Sequence, residues 1–397
     1  MQDIYDYILW RGDLTIKQSE FNKIDSLILA QLSYVMFDDI LAGPESENYI
    51  TLQEASGKFW AHHTEEEINT SSRLVKESAF LLKKMADTRR YGNFLLGKYV
   101  NRIDYEKQQQ FSAMKIKLPD RNVFIAFRGT DDTIVGWRED FNMAYLPQVP
   151  SQTDAVDYLE KIIRWNDWKI MLGGHSKGGN LAVYAAVNCK KNLKRRITCV
   201  YNFDGPGFLE KMVQSNAYKE VVPLIRTYIP ETSIIGKLLE HQEDYLVVKS
   251  SQTGIMQHDP LSWKIEQKDF LYAKEIDHNS KIMDATITSW IEKMEIKQRE
   301  QFVEVLFYLL EINDIRTTQD FTKIKWKNIT DLIKSMNDMK PESKKVFNET
   351  MKLLWTEANR VMQSNIIQNR NLMIKRRNEE IKARKKSNQV LIAEKKE

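Results

Sequence analysis

Cysteine is nearly absent from this chain: Cys189 and Cys199 are the only two among 397 residues. They lie close together, outside any paired Cys/His metal-ligand spacing. That excludes a disulfide-stapled domain and a cysteine-built metal site, and both are expected to be core thiols. The longest apolar stretch of the later chain, Phe302 to Ile312, is short and broken by Glu304 and Glu311, so no membrane-spanning helix is expected. The first residues, Met1-Gln2-Asp3-Ile4-Tyr5-Asp6, lack the basic and apolar regions of a secretory leader. Together these absences point to the cytoplasm. There is no internal repeat, low-complexity tract or nucleic-acid motif.

Charge is unevenly placed. The formal net charge is +4, but ten Lys or Arg against four Glu between Arg370 and Glu397 give that end +6 and leave the remainder at −2. Such a run most often forms a solvated face. The alternative is weak contact with an anionic membrane surface or nucleic acid. Length and an apolar content of 42% suit a large core, with one α/β unit and a smaller helical piece.

Periodicity supplies the organisation. Apolar residues at spacings of three and four predict helices over 21–41 and 70–85. Two short strands, 94–102 and 111–118, flank a polar turn, and the run Asn122 to Phe127 reads as a central strand. A helix over 152–165 precedes a strand ending near Leu172. Strand and helix then alternate: strands at 197–203, 224–229 and 245–249, helices at 208–218 and 234–240. That alternation implies a mostly parallel sheet flanked by helices. Beyond about Trp263 no strand pattern recurs, and 281–294, 298–312, 329–339 and 343–362 read as amphipathic helices. The expected divisions are residues 1–265, a helical region 266–362, and a basic helical or disordered tail 363–397.

The most informative segment is Gly174-His175-Ser176-Lys177-Gly178-Gly179, directly after Lys169-Ile170-Met171-Leu172. A serine at a sharp strand-to-helix bend needs nearly side-chain-free residues two before and two after it, where strand and helix approach. Gly174 and Gly178 meet that need. The following helix directs its positive end toward charge developing beside Ser176.

Acyl transfer by such a serine requires a base, an acid to orient the base, and oxyanion donors. Of six histidines, His62 and His63 precede the sheet, His175 sits in the bend with its ring expected to turn from its neighbour, His241 precedes the last strand, and His278 falls in the helical region. His258 follows the last strand, on the edge where open α/β sheets bind ligands. Asp204, on a turn fixed by Gly205 and Pro206, is the preferred acid, and Glu231 at the end of the next strand is the alternative. Asp259 is adjacent to the base in sequence and is expected to diverge from it. The backbone N–H of Lys177 is one expected oxyanion donor and Thr130 the other. No cofactor or metal is called for.

The segments Phe127-Arg128-Gly129-Thr130, Gly136-Trp137-Arg138-Glu139-Asp140 and Gly173 to Gly179 resemble the class-3, fungal triacylglycerol-type lipases. Phe203 to Phe208 and Ser250 to Pro260 are similar to a bacterial branch of the α/β-hydrolase superfamily. This resemblance, over residues 1 to 265, implies an α/β-hydrolase fold and an esterase or lipase-like activity on small-molecule or lipid esters. It also implies Ser176 as nucleophile, His258 as base, Thr130 and Lys177 as oxyanion donors, and Asp140 as the group holding the oxyanion loop. Lys177 stands where those lipases carry an apolar residue, and Glu231 stands near the place of their acid. Lys177 is expected to act mainly through its backbone, with a cation beside the acyl pocket as the other reading. The rival function is a catalytically idle hydrolase fold that binds a partner.

Overall fold

A computed structural model describes residues 3–364 apart from 132, 275–277, 314 and 316–338. The chain opens with helices α1 (Ile4–Arg11) and α2 (Lys23–Leu32), a short edge strand β1 (Ile50–Thr51), and helices α3 (Leu52–His62), α4 (Glu65–Asn69) and α5 (Arg73–Ala86). Asn22 caps α2 and Thr51 caps α3 through reciprocal side-chain bonds with the acid three residues on. Strands β2 (Leu95–Asp104) and β3 (Gln109–Lys117) form the expected hairpin, and β4 (Val123–Phe127) pairs antiparallel with β3.

From β4 onward the sheet is parallel. Helices α6 (Ile134–Asn142) and α7 (Pro150–Ile162) lead to β5 (Ile170–His175), and α8 (Lys177–Asn188) and α9 (Lys191–Lys194) lead to β6 (Ile197–Phe203). Short helices α10 (Glu210–Val213) and α11 (Asn216–Val221) precede β7 (Ile225–Pro230), and β8 (Tyr245–Val248) closes the sheet. The eight strands lie in chain order. The β4 run Val-Phe-Ile-Ala-Phe is buried at every position, as a strand covered on both faces must be. This is the α/β-hydrolase fold, a mostly parallel sheet flanked by helices, followed by a helical C-terminal region.

Two apolar layers sandwich the sheet. On one face Ile24, Leu27 and Ile28 of α2 and Leu81, Leu82 and Met85 of α5 pack on Phe124, Ala126 and Phe203. On the other, Leu159 of α7 and Leu181, Val183, Ala185 and Ala186 of α8 pack on Ile125, Leu172 and Val200. Within the first layer Arg90 grips Asp25, with Nε to Oδ1 at 2.7 Å and Nη2 to Oδ2 at 2.5 Å, and Tyr91 adds a hydroxyl bond to Oδ1 at 2.6 Å.

After β8 a hairpin of β9 (Ile265–Glu266) and β10 (Asp269–Phe270) precedes α12 (His278–Lys293), α13 (Ile296–Ile312) and a helix α14 over 341–364. Helix α13 docks on α6: Val303, Phe307 and Leu310 meet Ile134 and Tyr145, and Arg138 reaches Glu311 at 3.3 Å. No helix among the described residues is long and apolar enough to cross a membrane.

Several expectations are corrected. The helix read over 21–41 ends at Leu32, although Tyr34, Val35 and Phe37 remain buried, because they pack from a turn rather than from helical turns. The helix read over 208–218 is two short ones, broken at Ser215, which caps α11. At 234–240 only the 3-10 turn Ile235–Lys237 forms. The β9–β10 hairpin contradicts the expectation of no strand beyond Trp263; two residues per strand are too few to leave an alternating pattern. The helix expected over 329–339 lies, save its last residue, outside the described residues, as does the basic tail beyond 364.

Candidate active site

Parallel register brings the site to one edge. Phe127 lies beside Gly174, His175 beside Phe203, Phe203 beside Tyr228, and Pro230 beside Val248. The loops carrying Thr130, Ser176, Asp204, Glu231 and His258 therefore all leave the carboxyl ends of neighbouring strands, where such sheets hold ligands.

Ser176 sits between β5 and α8 with φ 57° and ψ −132°, a strained backbone for a non-glycine residue. Its N–H donates to the Phe203 carbonyl at 2.9 Å, and the residue is half-buried. The bend leaves no room for neighbouring side chains. A Cβ on Gly174 would lie 2.3 Å from the Gly178 carbonyl carbon, and one on Gly178 would lie 2.2 Å from the Phe127 carbonyl oxygen.

Asp204 and His258 meet. Asp204 is fully buried at the end of β6, with φ 54°, and its Oδ2 bonds His258 Nδ1 at 2.6 Å. Its other oxygen, Oδ1, accepts the Ser233 hydroxyl at 2.5 Å. A carboxylate accepts, so Nδ1 is the donor in this bond and Nε2 is the ring nitrogen left for other partners. His258 keeps a quarter of its side chain exposed, at the end of the 3-10 turn Gly254–His258. Glu231 is half-buried at the end of β7, and the Nδ1 proton of His258 goes to Asp204 instead. Asp259 diverges as expected and pairs with Arg73 at 2.6 Å.

His175 does more than the sequence discloses. Its ring is fully buried, with Nε2 2.7 Å from the His258 carbonyl oxygen and Nδ1 3.0 Å from the Tyr34 hydroxyl. Burial, and then the neighbouring His258, hold its pKa well below the usual histidine value, so the ring is neutral. A carbonyl can only accept, so Nε2 is the donor and Nδ1 accepts from Tyr34. The rings of His175 and His258 are 4.5 Å apart, which ties the His258 loop to the residue preceding Ser176. Nothing in the spacing of the chain signals this: Tyr34 lies 141 positions away. Ser233 escaped sequence reasoning for the same reason.

The Thr130 loop presses on the same bend. A Cβ on Gly129 would lie 2.5 Å from the His175 carbonyl oxygen and 3.2 Å from Ser176 Cβ. Thr130 is half-buried, and its hydroxyl donates to Asp140 Oδ2. Burial pushes the Asp140 carboxyl up to about 6, against the opposing charge of Lys177 and the Thr130 bond. The Lys177 ammonium is wholly enclosed, 3.0 Å from Glu139 Oε2. The reading of that lysine as a free cation beside an acyl pocket is thereby corrected: its charge is spent inside the protein.

The α/β-hydrolase fold thus presents a bent serine between strand and helix, with a carboxylate-bound imidazole brought to the same sheet edge. The chain belongs to the Mbeg1-like family, whose sequence profile matches residues 85–308. Among solved structures it is similar to the M37 lipase, at 16% identity and a TM-score of 0.35, over 55% of this chain and 70% of that one. It is also similar to a fungal lipase solved as an inhibitor complex, at 17% identity and a TM-score of 0.32, over 51% of this chain and 81% of that one. No curated protein sequence matches it.

Proposed function

We propose that the chain is a serine hydrolase of carboxylic esters, working through an acyl-enzyme on Ser176. The observation that carries this reading is the 2.6 Å bond between Asp204 and His258 Nδ1, on a loop tied by His175 to the strained turn of Ser176. His258 Nε2 takes the Ser176 proton, Oγ attacks the ester carbonyl, and Asp204 stabilises the imidazolium that forms. The oxyanion is received by the backbone N–H groups of Thr130 and Lys177. The Thr130 hydroxyl is committed to Asp140, so in this reading it holds the loop rather than the oxyanion. The imidazolium returns its proton to the departing alcohol, and water, deprotonated by His258, releases the acid.

Apolar side chains favour an acyl substrate. Ile255 and Met256 stand well exposed on the turn that ends at His258, and Trp137 is exposed on α6, which follows the Thr130 loop. A panel of p-nitrophenyl esters from acetyl to palmitoyl tests the reading. The wild type is expected to hydrolyse at least part of the series and Ser176→Ala none of it above the uncatalysed rate. Equal turnover by both proteins would refute it.

A further inference from the structure

We propose that the buried Lys177–Glu139 ion pair is a positioning device that fixes the two oxyanion donors relative to each other, a role that rests on the ester-hydrolase reading above. Lys177 opens α8 directly after Ser176, so its backbone N–H faces the chemistry while its side chain runs into the interior. All three ammonium protons are used there: Nζ donates to the Gln110 carbonyl at 2.9 Å, to Gln110 Oε1 at 2.7 Å and to Glu139 Oε2 at 3.0 Å. Glu139 also takes three bonds, accepting the Gln110 N–H on Oε2 at 3.0 Å and the Ser151 N–H on Oε1 at 2.8 Å besides the Lys177 ammonium. The next residue on the same helix, Asp140, accepts the Thr130 hydroxyl. Adjacent carboxylates of α6 therefore hold the two donor residues, Glu139 through the Lys177 ammonium and Asp140 through the Thr130 hydroxyl.

Packing makes that linkage stiff. A Cβ on Gly136, one turn earlier on α6, would lie 2.8 Å from Thr130 Cγ2 and 3.2 Å from Gln110 Oε1, so the helix touches both sides of the arrangement. Energetics argue that stability is not what the pair supplies. Removing two charges from water costs about as much as their attraction returns, and well-packed apolar residues in place of a buried pair are often neutral or stabilising. What an apolar residue at 177 does not supply is a fixed direction: three hydrogen bonds, two to Gln110 of β3 and one to Glu139 of α6, set the first turn of α8, and with it the Lys177 N–H, against both elements.

The test is the paired variant Lys177→Met with Glu139→Gln, which removes both charges and leaves no unpaired ion. With p-nitrophenyl butyrate, kcat is expected to fall roughly 10- to 100-fold, short of the loss of a whole oxyanion donor, while KM stays within about twofold. An aryl trifluoromethyl ketone, which adds to the serine as a tetrahedral oxyanion, is expected to bind more weakly by the same factor. Thermal melting of the paired variant checks that the fold persists. Should it fail to fold, Glu139→Gln alone, which keeps an acceptor for Lys177, is read by the same kcat-against-KM split and ketone affinity, with a loss of several-fold expected. A folded variant with wild-type kcat, or a loss confined to KM with unchanged ketone affinity, overturns the inference and leaves the hydrolase reading standing. A wild type that neither turns over esters nor reacts with a fluorophosphonate overturns both.

Discussion

The helices covering one face of the sheet and the loops at its carboxyl edge use buried polar groups in opposite ways. Beneath the covering helices the Asp25 carboxylate is matched by the Arg90 guanidinium and the Tyr91 hydroxyl, with Leu27, Ile28 and Leu82 filling the space around them. At the edge, His175, Lys177 and Asp204 are buried, and Ser176 and Asp204 have positive φ. Each region leaves a buried polar atom without a hydrogen-bond partner, Gln31 Oε1 under the covering helices and Asp140 Oδ1 at the edge, but the edge places its backbone strain at Ser176 and leaves a half-buried serine and a partly exposed imidazole. Burial on the covered face holds the molecule together. At the edge it orients groups and fixes their protonation.

Variants should separate these two roles. Ser176→Ala is expected to lower kcat/KM by about 10⁴-fold or more with melting temperature nearly unchanged, read by ester hydrolysis beside a thermal melt. Asp204→Asn, which removes the partner that fixes the His258 tautomer, should cost roughly 10³- to 10⁴-fold in kcat. The covered face should behave the other way. Arg90→Met strands the Asp25 carboxylate and is expected to lose about 3–5 kcal/mol of stability in urea titrations, with kcat preserved below the melting transition. An activity loss in Arg90→Met larger than its stability loss explains would erase the contrast.

The smallest effect concerns pH. The Asp140 carboxyl is raised in the folded protein to about 6, from an ordinary value of 3.8, chiefly by burial. A raised acid favours the folded state most while protonated, so its contribution is full below the unfolded value and is lost as pH rises through about 6. Asp140→Asn abolishes that titration. Its melting temperature relative to wild type should therefore climb by a few degrees between pH 4 and pH 7, and a flat difference would remove Asp140 from the account.

Much of the frame is legible in the chain. Ile197–Phe203 forms the strand expected there from the regular alternation of strands and helices, and the β4 run, apolar at every position, is buried throughout. The serine bend can be read from Gly174 and Gly178, since steric exclusion leaves glycine at both. The His258 ring bonds Asp204, on the turn that Gly205 and Pro206 continue. Apolar periodicity reports burial, however, and cannot say whether a buried segment is helical. That is why the reading over 21–41 overran α2. At Gly236 a tertiary contact overrides local pattern: a Cβ there would lie 2.3 Å from Asp204 Oδ1, so the segment turns beneath the carboxylate instead of continuing as a helix. The partners of His175 and Lys177 stayed hidden because Tyr34, Gln110 and Glu139 reach them only once the sheet has formed.

The central claim is that Ser176 is an activated nucleophile, and covalent labelling addresses it most directly. Incubation with a fluorophosphonate followed by peptide mapping should place one phosphonyl adduct on Ser176 in the wild type, at a rate that collapses in Asp204→Asn, and none in Ser176→Ala. A folded wild type that remains unmodified, or an adduct equally present in Ser176→Ala, would contradict it.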